Sequence, residues 1–329
     1  MKRLSGKFGF WSGVLFSLAF LAACGRPARF GDRIKVAGIF PDSRENPPTA
    51  VIHQALDRAD RDMLIVYEIV ENVPPGEMER VLLDYVNKGY DLIFGDDRGA
   101  EEMVRRVARD HPETAFCFHS RLGSVEPNFS VFSFWIHEPA YLCGRIAGRL
   151  SESGRVGAVA GEAHPALNAV LNAFRSGVRD ADPSVRVEIV LAGDGGVEEA
   201  AERLIEEGAD YIFAGSPAAI PVCQRMGVPA FGNLRNWYSI APNTMISGAI
   251  WDLGPTVEKV VEDVKNDSYR ARDLREWSMM AKGGAYLAPY HTFDTRIPFQ
   301  VKDEIDELRR RILSGLYRVP ADESLPGAD

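Results

Sequence analysis

Three aromatic residues close apolar, strand-like runs: Phe40 ends IKVAGIF, Trp135 ends FSVFSFW and Trp251 ends TMISGAIW. Short polar groups stand just past such ends: Asp96 with Asp97, His119 with Ser120, Ser216, Asn233 with Asn236, and Asp252. Flat π-faces with a few directional hydrogen-bonding groups are suited to holding a flat small molecule. Stacking a base on an aromatic ring is worth roughly 1–3 kcal/mol. Micromolar affinity takes about 8 kcal/mol, so two faces and several hydrogen bonds would suffice. The expected ligand-binding set is Trp251, Asp252, Phe40, Asp96, Trp135, Ser120, Ser216 and Asn236. Trp251 leads it, because it sits beside Asp252 and precedes a Gly-Pro turn. Phe40 and Trp135 fit core packing equally well. Asp96 and Asp97 also fit a helix N-cap. Ser216-Pro217 also reads as an N-cap followed by an N1 proline.

Reactive constellations are missing from the chain. There is no G-x-S-x-G, no G-K-[ST] phosphate loop and no histidine pair at metal spacing. Neither catalysis, a metal nor a cofactor is therefore expected. Four cysteines are present. Cys117, Cys143 and Cys223 lie in apolar contexts, and buried free thiols are expected there.

The N-terminus has its own chemistry. Lys2, Arg3 and Lys7 precede an apolar run from Phe8 to Phe20, and Leu21-Ala22-Ala23-Cys24 follows. This is similar to the lipobox of bacterial lipoproteins, in which the cysteine carries lipid and becomes the first residue after cleavage. The expectation is a leader over 1–23, lipid on Cys24 that anchors the chain to the membrane, and a tether to residue 33. The rest would face the periplasm or exterior. Losing the three leader cations takes the formal charge from −9 to −12. An acidic body argues against nucleic acid as a partner.

The elements that must position the candidate residues alternate strand and helix. Expected strands at 34–40, 63–69, 91–94 and 115–119 alternate with helices at 49–59, 78–88 and 100–110. The stretch from Phe129 to Gly161 reads as strand, helix, strand, with Ala140, Gly144, Ala147 and Gly148 allowing a close neighbour. The pattern then repeats to Trp251. A further strand is expected at 278–287 and a charged helix at 302–314. Such alternation implies parallel sheets with right-handed crossovers. The fold expected is α/β, of the type I periplasmic-binding-protein kind: two Rossmann-like lobes joined by several strands. Lobe one takes 34–136 and about 252–287. Lobe two takes 137–251 and about 288–318, and a loose tail runs from 319. Open α/β sheets bind ligands at the carboxyl ends of their strands, so the site belongs between the lobes.

GYDLIFGDD (89–97), HPETAFCF (111–118), EPAYLCGRIAG (138–148), SGRVGAVAG (153–161), NAFRSGVRDADPSVRVEIV (172–190), EEGADYIF (206–213), MISGAIWDLGP (245–255) and GGAYLAPY (283–290) occur in this order. On these segments the chain resembles the basic membrane protein family, the PnrA-like lipid-anchored substrate-binding proteins of ABC transporters. The resemblance implies capture of a purine nucleoside and delivery to an ABC permease in the inner membrane. The chain departs from the nucleoside receptors of the family at their ligand-binding positions. PDSRENPP replaces an Asp-Lys-Ser-Phe-Asn-like loop, Ser120 an aspartate, Gly232-Asn233-Leu234-Arg235-Asn236 a Gly-Val-Asp-x-Asp run, and Trp251 a lysine. A free purine base or another small heterocycle fits these changes as well as a nucleoside does. The alternative is a membrane-tethered sensor that binds the same ligand without transport.

Overall fold

The computed structural model describes residues 33–327 apart from Asp194. Cys24 and the leader therefore lie outside the described residues. Among the described residues no helix is long and apolar enough to cross a membrane.

Two sheets organise the chain. The first holds β1 (Ile34–Ile39), β2 (Ile65–Val70), β3 (Leu92–Asp96), β4 (Ala115–His119) and β5 (Phe129–Phe132), in the order β2-β1-β3-β4-β5. Every pair in it is parallel. Helices α1 (Pro47–Arg61), α2 (Pro75–Asn87) and α3 (Glu101–Asp110) are its crossovers. The second sheet holds β6 (Arg155–Ala160), β7 (Arg186–Leu191), β8 (Tyr211–Ala214), β9 (Ala230–Leu234), β10 (Met245–Trp251) and β11 (Ala285–Leu287). Its order is β11-β10-β9-β8-β6-β7, and only β11 runs antiparallel. Buried strands need continuous apolar runs. Val36, Ile39, Leu92, Ile93, Val159 and Ile212, all 1% exposed or less, supply them. The expected two-lobe α/β fold is thus observed.

Against the second sheet, α4 (His137–Leu150) and α5 (Pro165–Ala181) pack closely on each other. Glycines permit this. A Cβ on Gly144 would stand 2.0 Å from the Phe174 carbonyl oxygen, and one on Gly177 would stand 2.1 Å from that of Tyr141. Helices α6 (Val197–Glu206) and α7 (Ala219–Met226) complete the second lobe, and α8 (Gly254–Lys265) returns to pack on α1. Helix α9 (Phe299–Leu313) lies on α4.

Two segments differ from the sequence expectation. The strand foreseen at 278–287 is two 3-10 turns (Arg275–Ser278 and Met280–Lys282) and then β11. Gly283 sits at φ 77°, and a Cβ on Gly284 would meet the Trp277 carbonyl oxygen at 1.8 Å. That pair bends the chain, and residues 285–287 join the second sheet rather than lobe one. The tail from Val319, expected to be loose, is bonded to α5. Asn168 Nδ2 donates to the Glu323 carbonyl at 3.1 Å, and Asn172 Nδ2 donates to those of Asp322 and Ser324 at 2.9 Å.

The chain passes between lobes at 133–136, at 252–253 and around 279–284. One hydrogen-bond chain ties these passages. The buried Ser278 hydroxyl donates to the Ser133 carbonyl and accepts from the Trp251 indole N–H at 3.1 Å. Glu138 at the start of α4 accepts from the Met280 amide at 2.7 Å.

Candidate functional site

The carboxyl ends of β3 and β4, the passage after β5 and the start of α5 converge on a cleft of about 140 Å³. Its rim in the first lobe is an ordered polar chain. Asp96 is 2% exposed. It accepts from the Arg98 backbone N–H at 3.0 Å, from Arg98 Nη2 at 3.1 Å and from His119 Nδ1 at 3.1 Å. Arg98 also reaches Asp42 at 2.7 Å. Burial works to raise the Asp96 carboxyl, but His119 and Arg98 outweigh it and hold the group well below the usual carboxylate range. An ionised carboxylate only accepts, so His119 Nδ1 carries a proton and donates it to Asp96, while Nε2 lies 3.5 Å from the Ser133 hydroxyl.

Aromatic rings form the floor. Phe134 stacks on His119 with centroids 5.8 Å apart and planes at 21°. The ring of His164, from the second lobe, meets Phe134 edge-on at 5.2 Å. His164 caps α5, its Nδ1 accepting from the Leu167 amide at 3.3 Å. Burial foremost, then the charges of His119, Arg121 and Arg98, push it down to about 4, so it is neutral near pH 7. Trp135 lines the same cleft beside Arg275 and Glu323. An arrangement of faces with one fixed carboxylate can hold a flat ligand that offers N–H donors.

The structure brings Asp96, Ser120 and Trp135 together at this cleft. Ser120 is already engaged: its Oγ accepts from Arg105 Nη2 at 2.9 Å and from the Leu122 amide at 3.1 Å. Arg105 in turn pairs with buried Asp97 at 2.6 Å. Trp251 lies beneath the floor at 3% exposure, with its ring 5.8 Å from Phe134 and 6.2 Å from His119. Its far side lines a second recess of about 410 Å³ with Arg58, Arg235, Asn236 and Asp252. There Asp252 accepts from Arg58 at 2.7 Å and from the Gly254 amide at 2.8 Å, and Asn236 Nδ2 lies 3.0 Å from His291 Nε2. Phe40 is wholly buried in the core. Ser216 stands two residues before the cap of α7, which is Ala218, and it lines neither recess.

Phe134, Arg98, His164, Arg275 and Glu323 were absent from the expected set. His164-Pro165 carried a usable signal, since a capping residue before an N1 proline marks a helix start aimed at the cleft. Arg275 and Glu323 carried none, because tertiary contacts alone bring them there.

A family model described as ABC transporter substrate-binding protein PnrA-like matches residues 36–274. A purine-binding protein of Brucella abortus is 28% identical over 253 residues, covering 75% of this chain and 70% of that protein. A putative ABC transporter glucose-binding protein of Haloferax volcanii is also 28% identical, over 79% of this chain and 66% of its own length. Among solved structures, an ABC transporter solute-binding protein from Conexibacter woesei superposes with a TM-score of 0.70 at 24% identity, covering 88% of this chain and 99% of that one.

Proposed function

Because this chain belongs to the PnrA-like family of ABC transporter substrate-binding proteins, we propose that it captures a purine base, a purine nucleoside or a similar small heterocycle between its lobes and presents it to a membrane permease. The observation that carries this reading is the cleft itself: aromatic faces from the interlobe passage stand against one buried, ionised carboxylate. Stacking on Trp135 supplies affinity for any base, at roughly 1–3 kcal/mol. Asp96 supplies direction, because a carboxylate already anchored by Arg98 and His119 accepts only along its remaining lone pairs. The purine-binding relative supports a purine over other rings. Binding draws the lobes together, since a ligand that touches both favours the closed arrangement by its differential affinity. On this reading lipid on Cys24 keeps the protein beside its permease, outside the cytoplasm.

Calorimetric titration with adenine, hypoxanthine, guanosine and glucose tests the proposal. Micromolar or tighter binding of at least one purine is expected, and glucose should give no heat. Binding of glucose alone, or of none of the four, overturns the purine reading.

A further inference from the structure

The segment from Val319 to Gly327 lies beyond residue 274, where the family match ends, and it contains no helix or strand. Helix α5 nevertheless presents a face built to hold it. Asn168 and Asn172, one turn apart, are 6% and 4% exposed, and their amide donors go to the carbonyls of residues 322–324. Arg175, the next polar residue along, donates to the Gly327 carbonyl at 2.5 Å. Within the segment, Asp322 Oδ1 accepts from the Ser324 amide at 3.0 Å and from its hydroxyl at 2.6 Å, which turns the chain at Glu323. That turn directs the Glu323 side chain into the cleft. Its Oε1 accepts from the Trp135 indole N–H at 3.1 Å. The Arg275 guanidinium stands 5.2 Å from the Trp135 ring centroid, and the His137 ring meets Trp135 edge-on at 6.4 Å.

We propose that the C-terminal segment is a wall of the ligand cleft and that Glu323 is a positioning residue, holding the Trp135 ring at the angle at which a bound heterocycle stacks on it. The ligand part of this rests on the heterocycle reading above. The positioning part does not: it needs only the bond between Glu323 and Trp135. A side chain that swings about two torsions offers a poor platform until something fixes it, and ordering it beforehand removes that cost from binding. Two buried asparagines committed to the tail explain why a segment without secondary structure can do this.

The full chain, labelled with ¹⁵N-tryptophan, gives the ligand-free test. The Trp135 indole N–H, identified by its loss in Trp135→Phe, should exchange with solvent at least tenfold faster in Glu323→Ala and in a chain ending at Pro320. In Glu323→Gln it should stay within threefold of the parent, because the amide oxygen still accepts. Titration with adenine should show at least tenfold weaker binding for Glu323→Ala and a change under threefold for Glu323→Gln, with unfolding midpoints preserved. Should the shortened chain fail to fold, Glu323→Ala, which leaves the rest of the tail in place, decides the matter. Unchanged indole exchange in Glu323→Ala overturns the positioning role, as does an equal loss of adenine affinity in the alanine and glutamine variants. Faster exchange with unchanged adenine affinity overturns the role in the ligand site. If the parent chain binds none of adenine, hypoxanthine and guanosine, the purine reading fails alone, and the exchange comparison still decides whether Glu323 holds Trp135.

Discussion

His137, at the start of α4, is 1% exposed, and burial outweighs a hydrogen bond with the Val319 backbone to push it down to about 4. Below the ordinary histidine value of about 6.5 the unfolded chain takes up a proton that the folded chain refuses. His137 therefore stabilises the fold fully above that value, and the contribution is lost as pH falls from about 6.5 towards 4. Burial raises Glu138 and Asp97, which has the opposite sign, because the folded state protonates them earlier as pH falls. A difference between variants separates the two effects. From pH 7 to pH 4.5, urea unfolding should show the parent losing about 2 kcal/mol more than His137→Gln. At Trp251 the expectation follows from its place beneath the floor. Trp251→Ala should cost about 3–5 kcal/mol and weaken purine binding at least tenfold, since Phe134 and His119 lose their backing. Trp251→Phe should lose the bond to Ser278 and part of the ring's packing, about 2–3 kcal/mol, and stay within threefold in affinity. The sequence thus pointed to Trp251 because it ends a strand beside a turn, whereas its side-chain direction depends on Ser278, a residue from a different passage. Asp96 was singled out for the same reason of position, and it lines the cleft. Glu323 was not, since nothing local distinguishes it from any other acid in a polar tail.

At the level of elements, apolar runs and glycine stops made most strands and helices legible, with ends displaced by one to three residues. The small residues of α4 were legible too: Gly144 and Gly148 do admit a neighbour, which is α5. The misread element is instructive. Residues 278–287 have strand composition, but Gly283 and Gly284 fold the first half into 3-10 turns and leave three residues to pair with β10. Pattern reads the side chains, while the φ of one glycine decides the path. The α4–α5 contact makes a sharp prediction. Gly144→Ala places a methyl group 2.0 Å from a backbone oxygen that cannot turn aside. It should destabilise by about 3 kcal/mol, at the upper end for overpacked cores. Gly76→Ala in α2 meets nothing within 4 Å and should stabilise by about 0.5 kcal/mol through the unfolded chain. Urea unfolding of the two variants side by side checks both signs.

For the molecule as a whole, the question is what couples ligand to lobe position. The three interlobe passages are separate in sequence, yet Ser278 joins all of them, giving its proton to Ser133 and taking one from Trp251. Ser278 is wholly buried, so its replacement by alanine leaves a carbonyl and an indole N–H without a partner in a dry environment. Each such loss costs about 1–3 kcal/mol. The cost falls on the arrangement that packs the passages together, and any arrangement that lets water reach them escapes part of it. A binding-competent state that becomes less populated lowers the apparent affinity by the same fraction. Ser278→Ala should therefore unfold at lower urea, by about 2 kcal/mol, and bind purine several-fold more weakly. Its radius of gyration by small-angle scattering should exceed that of the parent without ligand and match it at saturation. Lower stability with unchanged affinity and unchanged scattering would mean that the bond chain holds the fold and not the closure. Loss of affinity with the larger radius retained at saturation would mean that the lobes no longer close on the ligand at all, and that Ser278 is needed for the motion rather than for its balance.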